Sequence, residues 1–219
     1  MPKLYTMHDA RIADAGETVA AIDQTNPLHA EAIISDARAP LVRWSGWIGG
    51  PAARDDGTFD ADFRTWTPAG REAFDAWAAT LAGETWLRPH CRHVVSDVQT
   101  CLNLVRSWED QAELPLRLLL DPAALLTASM LGQAEDHLAR AIETLGSHEL
   151  VPAVVLADVT LIESTDRYEP DVAPAPLGTG AIGLETWAAA VRLAGGLPDR
   201  PLVIDDEAPE EARSTARDW

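Results

Sequence analysis

The sequence almost lacks lysine: Lys3 is the only one, and 17 basic residues face 35 acidic ones for a formal charge of −18. A surface of that sign excludes nucleic acid as a partner, because phosphate-backbone binding depends on Lys and Arg displacing counterions. Cysteine is as scarce. Cys91 and Cys101 have no CxxC partner, which excludes a disulfide framework and a thiolate zinc site. No apolar run approaches the roughly 20 residues that span a bilayer. The N-terminus has no basic-then-apolar leader, so a cytoplasmic protein without membrane contact is expected. Gly-rich phosphate loops, HExxH and GxSxG are also missing.

What is present is alternation. From residue 40 onward short apolar runs alternate with segments of helical period, the pattern of a parallel sheet covered by helices. Strands are expected at 41–47, 84–88, 116–121, 151–158 and 201–205. Thr67-Pro68 predicts a helix start ahead of Phe74, Trp77, Ala78 and Leu81. Ser96 and Gln99 stand at capping-box spacing before Val98, Cys101, Leu102, Val105 and Trp108. Leu138 to Leu145 and Leu184 to Val191 give two further helices, the second stopped by Gly195-Gly196, and a proline- and glycine-rich loop is expected after residue 158. In the first forty residues Leu4 to Met7 suggests a strand, and Thr18 to Asp23 and His29 to Ser35 suggest short helices. The sum is one α/β domain over residues 1–219, with about six strands and a loosely defined front.

Four strands finish on charge: Arg88, Asp121, Asp158 and Asp205. In parallel α/β folds the carboxyl ends of strands converge on the face that holds the active site. Three carboxylates there suit a divalent cation, or a polar substrate directly. Each has a plainer role open to it: Asp121-Pro122 is also an N-cap with Pro in the first turn, Asp158 leads into turn chemistry, and Asp205 opens the acidic run Asp205-Asp206-Glu207. Arg88 is a possible ion-pair partner for an aspartate, and His90 and His93 follow it closely.

The segments Thr85-Trp-Leu-Arg-Pro-His90, Leu118-Leu-Leu-Asp-Pro122, Pro176-Leu-Gly-Thr-Gly180 and Pro201-Leu-Val-Ile-Asp205 resemble, in order and spacing, the xylose isomerase-like TIM barrel family of sugar-phosphate isomerases and epimerases. The resemblance covers residues 40 to 212 and implies a (β/α)8 barrel, here incomplete because such a barrel usually takes about 250 residues. It implies a divalent metal (Mn²⁺, Mg²⁺ or Co²⁺) and proton transfer between neighbouring carbons of a small sugar or sugar phosphate. Carried over by position, Arg88 stands at the first glutamate, Asp121 at the aspartate, Val155 at the histidine and Asp205 at the second glutamate. Arginine is a permanent cation and neither ligates a metal nor acts as a base near neutral pH. The expected assignments are therefore Asp205 as the catalytic carboxylate, Asp121, Asp158 and Asp205 as loose metal ligands, and Arg88, His90 and Arg167 as substrate contacts. The competing expectation is a metal-free pseudoenzyme that binds a carbohydrate or a protein. An incomplete sheet also leaves an unpaired edge, to be covered by the N-terminal forty residues or by a second subunit in a homodimer.

Overall fold

The computed structural model describes residues 4–9, 18–23, 27–28, 41–46, 67–109, 111, 114–163 and 170–219, with backbone alone for 4–9, 18–23 and 41. In chain order the strands and helices are β1 (Leu4–Asp9), β2 (Thr18–Asp23), β3 (Leu41–Trp44), α1 (Pro68–Ala78), β4 (Thr85–Arg88), α2 (Val98–Glu109), β5 (Leu116–Leu118), α3 (Ala134–Leu145), β6 (Val154–Val155), β7 (Ala157–Ile162), β8 (Asp171–Pro176), α4 (Gly183–Leu193), β9 (Leu202–Asp205) and α5 (Glu210–Arg217). Two short 3-10 turns, Ala123–Leu125 and Ala128–Gln133, join β5 to α3.

The expected α/β class is what folds. One sheet has the order β5-β4-β3-β2-β1-β9-β6. Pairs β2–β3, β3–β4, β4–β5 and β6–β9 are parallel. The outermost strands also meet: Leu120 bridges Val154 in parallel, Val155 N–H donating to Leu120 O at 2.7 Å and Leu120 N–H to Ala153 O at 3.3 Å. The wall is thus barrel-like but incomplete, with seven strands, one reversed, and a seam held by a bridge rather than a full ladder.

The reversed strand is β1, antiparallel to β2 and to β9. Together β1 and β2 take up the edges of β3 and β9, so the front of the chain does cover the sheet where an open edge was expected. The expected helix over Thr18–Asp23 is a strand instead. Its Ala20-Ala21 pair suits either state, and backbone partners on both sides outweigh a weak local preference. The expected helix at His29–Ser35 lies outside the described residues.

Helix starts follow local chemistry. Gly70 N–H donates to Thr67 Oγ1 at 3.0 Å, with Pro68 in the first turn, as the sequence predicts. At α2 the cap is Asp97, not Ser96: Thr100 N–H donates to Asp97 Oδ1 at 2.8 Å, while Gln99 reaches forward to Asn103. Carboxylate and hydroxyl cap equally well, so the shorter reach to the third helical N–H decides. Helix α4 ends on Gly195 and Gly196, both at positive φ, with Gly196 N–H bonded to Val191 O. The helices bury Phe74, Cys101, Val105, Trp108, Leu138, Leu145, Trp187 and Ala190 against the sheet.

Beyond β6 the expected irregular loop is largely a two-stranded ribbon, β7 with β8, paired from Ala157↔Pro176 to Ile162↔Asp171. The prolines that suggest a loop fit here because Pro174 and Pro176 occupy alternate positions on an edge strand, where an N–H would point away from the partner.

Candidate functional site

The end of β4 carries Arg88, and Trp44 lies directly across the ladder at the end of β3. The Arg88 guanidinium carbon sits 4.5 Å from the Trp44 ring centroid, a cation–π arrangement. Its Nε donates to Asp121 Oδ2 at 2.7 Å and its Nη2 to the same oxygen. Asp121 stands just past the Leu120 bridge, and its other oxygen accepts from Ala124 N–H at 3.1 Å, capping the 3-10 turn. Asp121 thus fills its plainer expected role as a cap and is also the counter-ion of Arg88. The pair is enclosed, with Asp121 0% and Arg88 6% exposed.

The loop after β4 packs onto the same spot. His90 N–H donates to Val95 O, Val94 N–H to Gly46 O, and the Ser45 hydroxyl to Val95 O, which pins the loop to the end of β3. His90 and His93 meet the Trp44 ring edge-on at 5.4 and 5.2 Å and each other at 4.9 Å. Burial lowers the His90 pKa to about 3, helped by the Arg88 and Arg92 cations, and burial also holds that of His93 well below its ordinary value. Both rings are neutral at pH 7. His90 Nδ1 accepts from Arg92 N–H at 3.1 Å. Arg92 itself reaches to Asp171 of β8, Nη2 to Oδ1 at 2.5 Å.

Asp158 is engaged elsewhere. Its Oδ1 accepts from Val159 N–H and Ile182 N–H, both at 2.8 Å, and its Oδ2 from Gly183 N–H at 3.0 Å. The backbone cradle at the start of α4, the kind of place that holds a phosphate in many α/β proteins, is filled by the chain's own carboxylate. Gly180 of the Pro-Leu-Gly-Thr-Gly segment allows this approach: a Cβ there would lie 2.3 Å from Val159 O and 2.5 Å from Asp158 Oδ1. Gly180→Ala should therefore destabilise the protein by about 1–3 kcal/mol, the usual cost of overpacking. A thermal melt unchanged from the parent would contradict that close approach.

Asp205 ends β9, three strands round from β4 by way of β5 and the β6 seam. It is half-exposed; Oδ1 accepts from Glu207 N–H at 2.8 Å. Burial raises its pKa, the Glu207 hydrogen bond opposes this, and the Asp206 and Glu207 carboxyls push it up again. Arg167 lies outside the described residues. The structure thus brings together Arg88, His90 and Asp121 of the expected site, and adds Trp44, His93 and the Arg92–Asp171 pair. It does not gather the three aspartates: among the described residues no group of three or more His, Cys, Asp and Glu side chains could hold a metal ion. The described residues do not fit a divalent cation. A guanidinium stands on one Asp121 oxygen, and Asp158 accepts from three backbone N–H groups.

Trp44 gives no signal in the sequence, where it stands inside the expected strand 41–47; it closes β3 in the structure. The Arg92–Asp171 pair gives none, since the ribbon that brings them together reads as loop.

No protein-family model matches the chain, and no curated protein matches it. Among solved structures, a xylose isomerase-like TIM barrel protein from Mycobacterium smegmatis, in complex with magnesium, aligns over 83% of this chain with a TM-score of 0.43 and 10% identity. The chain covers 62% of that structure's length. This is a distant likeness of fold. No helix among the described residues is long and apolar enough to cross a membrane.

Proposed function

We propose that this chain is a metal-independent binding protein on an isomerase-type barrel, a single domain whose ligand is a small sugar derivative carrying an anionic group. The observation that carries this reading is the Arg88–Asp121 pair, which puts a fixed cation where the family resemblance calls for a metal-binding glutamate. With Nε and one hydrogen of Nη2 spent on one oxygen, the second Nη2 hydrogen and Nη1 of Arg88 are the donors left for a carboxylate or phosphate. The neutral His90 and His93 rings suit sugar hydroxyls, since a neutral imidazole both donates and accepts. Among the described residues no ligand set supports proton transfer through a bound metal.

The test is a thermal-shift panel of sugar phosphates and uronates with EDTA present. The expected result is stabilisation by a subset of anionic sugars, lost in Arg88→Lys, which keeps the charge but not the planar fork. No response across the panel would overturn the binding reading.

A second reading retains chemistry without metal, with Asp205 as the acid–base group. Its raised pKa at a strand end favours this, because a carboxyl that holds its proton longer is better suited to proton transfer near neutral pH. Aldose–ketose interconversion in EDTA, abolished in Asp205→Asn, would support it; its absence for every ligand that binds would leave binding alone.

A further inference from the structure

The β7–β8 ribbon is not part of the main sheet, yet it is tied to the molecule at both ends by different chemistry. At its base Asp158 is bonded into the start of α4, and Trp187 Nε1 donates to Ala157 O at 2.7 Å. At the other end of the ladder, where Ile162 pairs with Asp171, the hold is a charge contact to Arg92 in the loop that carries His90 and His93. Between these ends the ribbon rests on the turn Ala123–Leu125 that Asp121 caps. The side chains it buries are small, Val159, Val172, Ala173 and Ala175, while Leu161 is 51% exposed. Small apolar contacts are each worth little, so among the described contacts at that end the charge contact weighs most.

Resting on the reading of the Arg88–Asp121 end as the binding site, we infer that the β7–β8 ribbon is a lid over that site, hinged at Asp158 and latched by Arg92 to Asp171. An opened latch frees the 89–96 loop from the ribbon and admits ligand to His90 and Arg88. A closed latch holds the ribbon against the turn that Asp121 caps and against the loop that carries His90.

Cys91 reports on the latch. It lies between His90 and Arg92, its N–H donates to Ala124 O at 2.8 Å, and burial pushes its thiol up to about 12, with Arg92 lowering it and Asp171 raising it. Cys91 is partly exposed in the closed form, so its alkylation at pH 8 should be slow because of the raised pKa, the thiolate being the nucleophile. Cys101 is fully buried in α2 and serves as an internal control.

The experiment is peptide-resolved iodoacetamide labelling of the full chain and of Arg92→Gln. Loss of the Arg92 cation alone would slow Cys91, since that cation lowers its pKa; lid opening predicts the opposite, labelling faster by at least about fivefold with Cys101 unchanged. Val172→Ala, which loosens the underside without altering charge, should likewise accelerate Cys91 alone. Cys91 labelling that is slower or unchanged in both variants, or that rises together with Cys101, overturns the lid. Labelling needs no ligand, so a latch that opens in a chain responding to no sugar would sink the binding reading and leave the lid standing.

Discussion

Asp121→Ala will lower the free energy of unfolding by about 3–5 kcal/mol, because it leaves the Arg88 guanidinium buried without its counter-ion. It also removes the acceptor for Ala124 N–H at the 3-10 turn, a capping loss of about 1 kcal/mol. The double change Arg88→Met with Asp121→Leu should cost distinctly less than Asp121→Ala alone. Replacing a buried ion pair by apolar groups of similar volume removes two desolvation penalties together with one attraction. Urea denaturation of the three proteins checks this. A loss under about 1 kcal/mol for Asp121→Ala would mean that solvent reaches the pair and that the enclosed geometry is wrong.

The second large effect is acid sensitivity. His90 and His93 are neutral in the folded protein down to low pH, because burial and the neighbouring arginines oppose protonation. In the unfolded chain both protonate near the ordinary value of about 6.5. Below that pH the unfolded state binds more protons, so stability falls as pH falls. The loss from His90 runs from about 6.5 down to its folded value of about 3, at up to about 1.4 kcal/mol per pH unit. His93 adds a loss of the same sign that begins at the same upper limit. Asp205 works in the other direction, since a carboxyl held above its ordinary pKa gains a proton first in the folded state, but its half-exposure makes that term small. Unfolding midpoints in urea from pH 7.5 to 4.5 should drop steeply, with a shallower slope in His90→Gln. A flat profile across that range would show that the two rings are solvated.

Much of the fold is legible in the sequence because its signals are local. Thr67-Pro68 and Gly195-Gly196 mark helix ends by backbone chemistry that needs no distant partner. The strand ends at Arg88 and Asp205 follow from apolar runs bounded by charge. What is not legible depends on distant pairing. Thr18–Asp23 becomes a strand because β1 and β3 flank it, and the β7–β8 ribbon is disguised by prolines that an edge strand tolerates.

The candidate site divides in the same way. Charge at strand ends picks out Arg88 and Asp121, and these two meet. The same rule selects Asp158, but that residue lies in β7 beyond the sheet strand β6, and three backbone N–H groups claim it. Strand-end position indicates which residues face the mouth; it does not reveal which of them the chain uses to hold its own turns.

The Arg88 cation is proposed to stand in place of a metal ion. Calorimetric titration of the EDTA-treated, dialysed protein with Mn²⁺ tests this most directly. The expected result is no saturable heat up to millimolar Mn²⁺, with Asp121→Ala behaving in the same way. Stoichiometric Mn²⁺ binding that disappears in Asp121→Ala would contradict it and restore a metal-dependent isomerase.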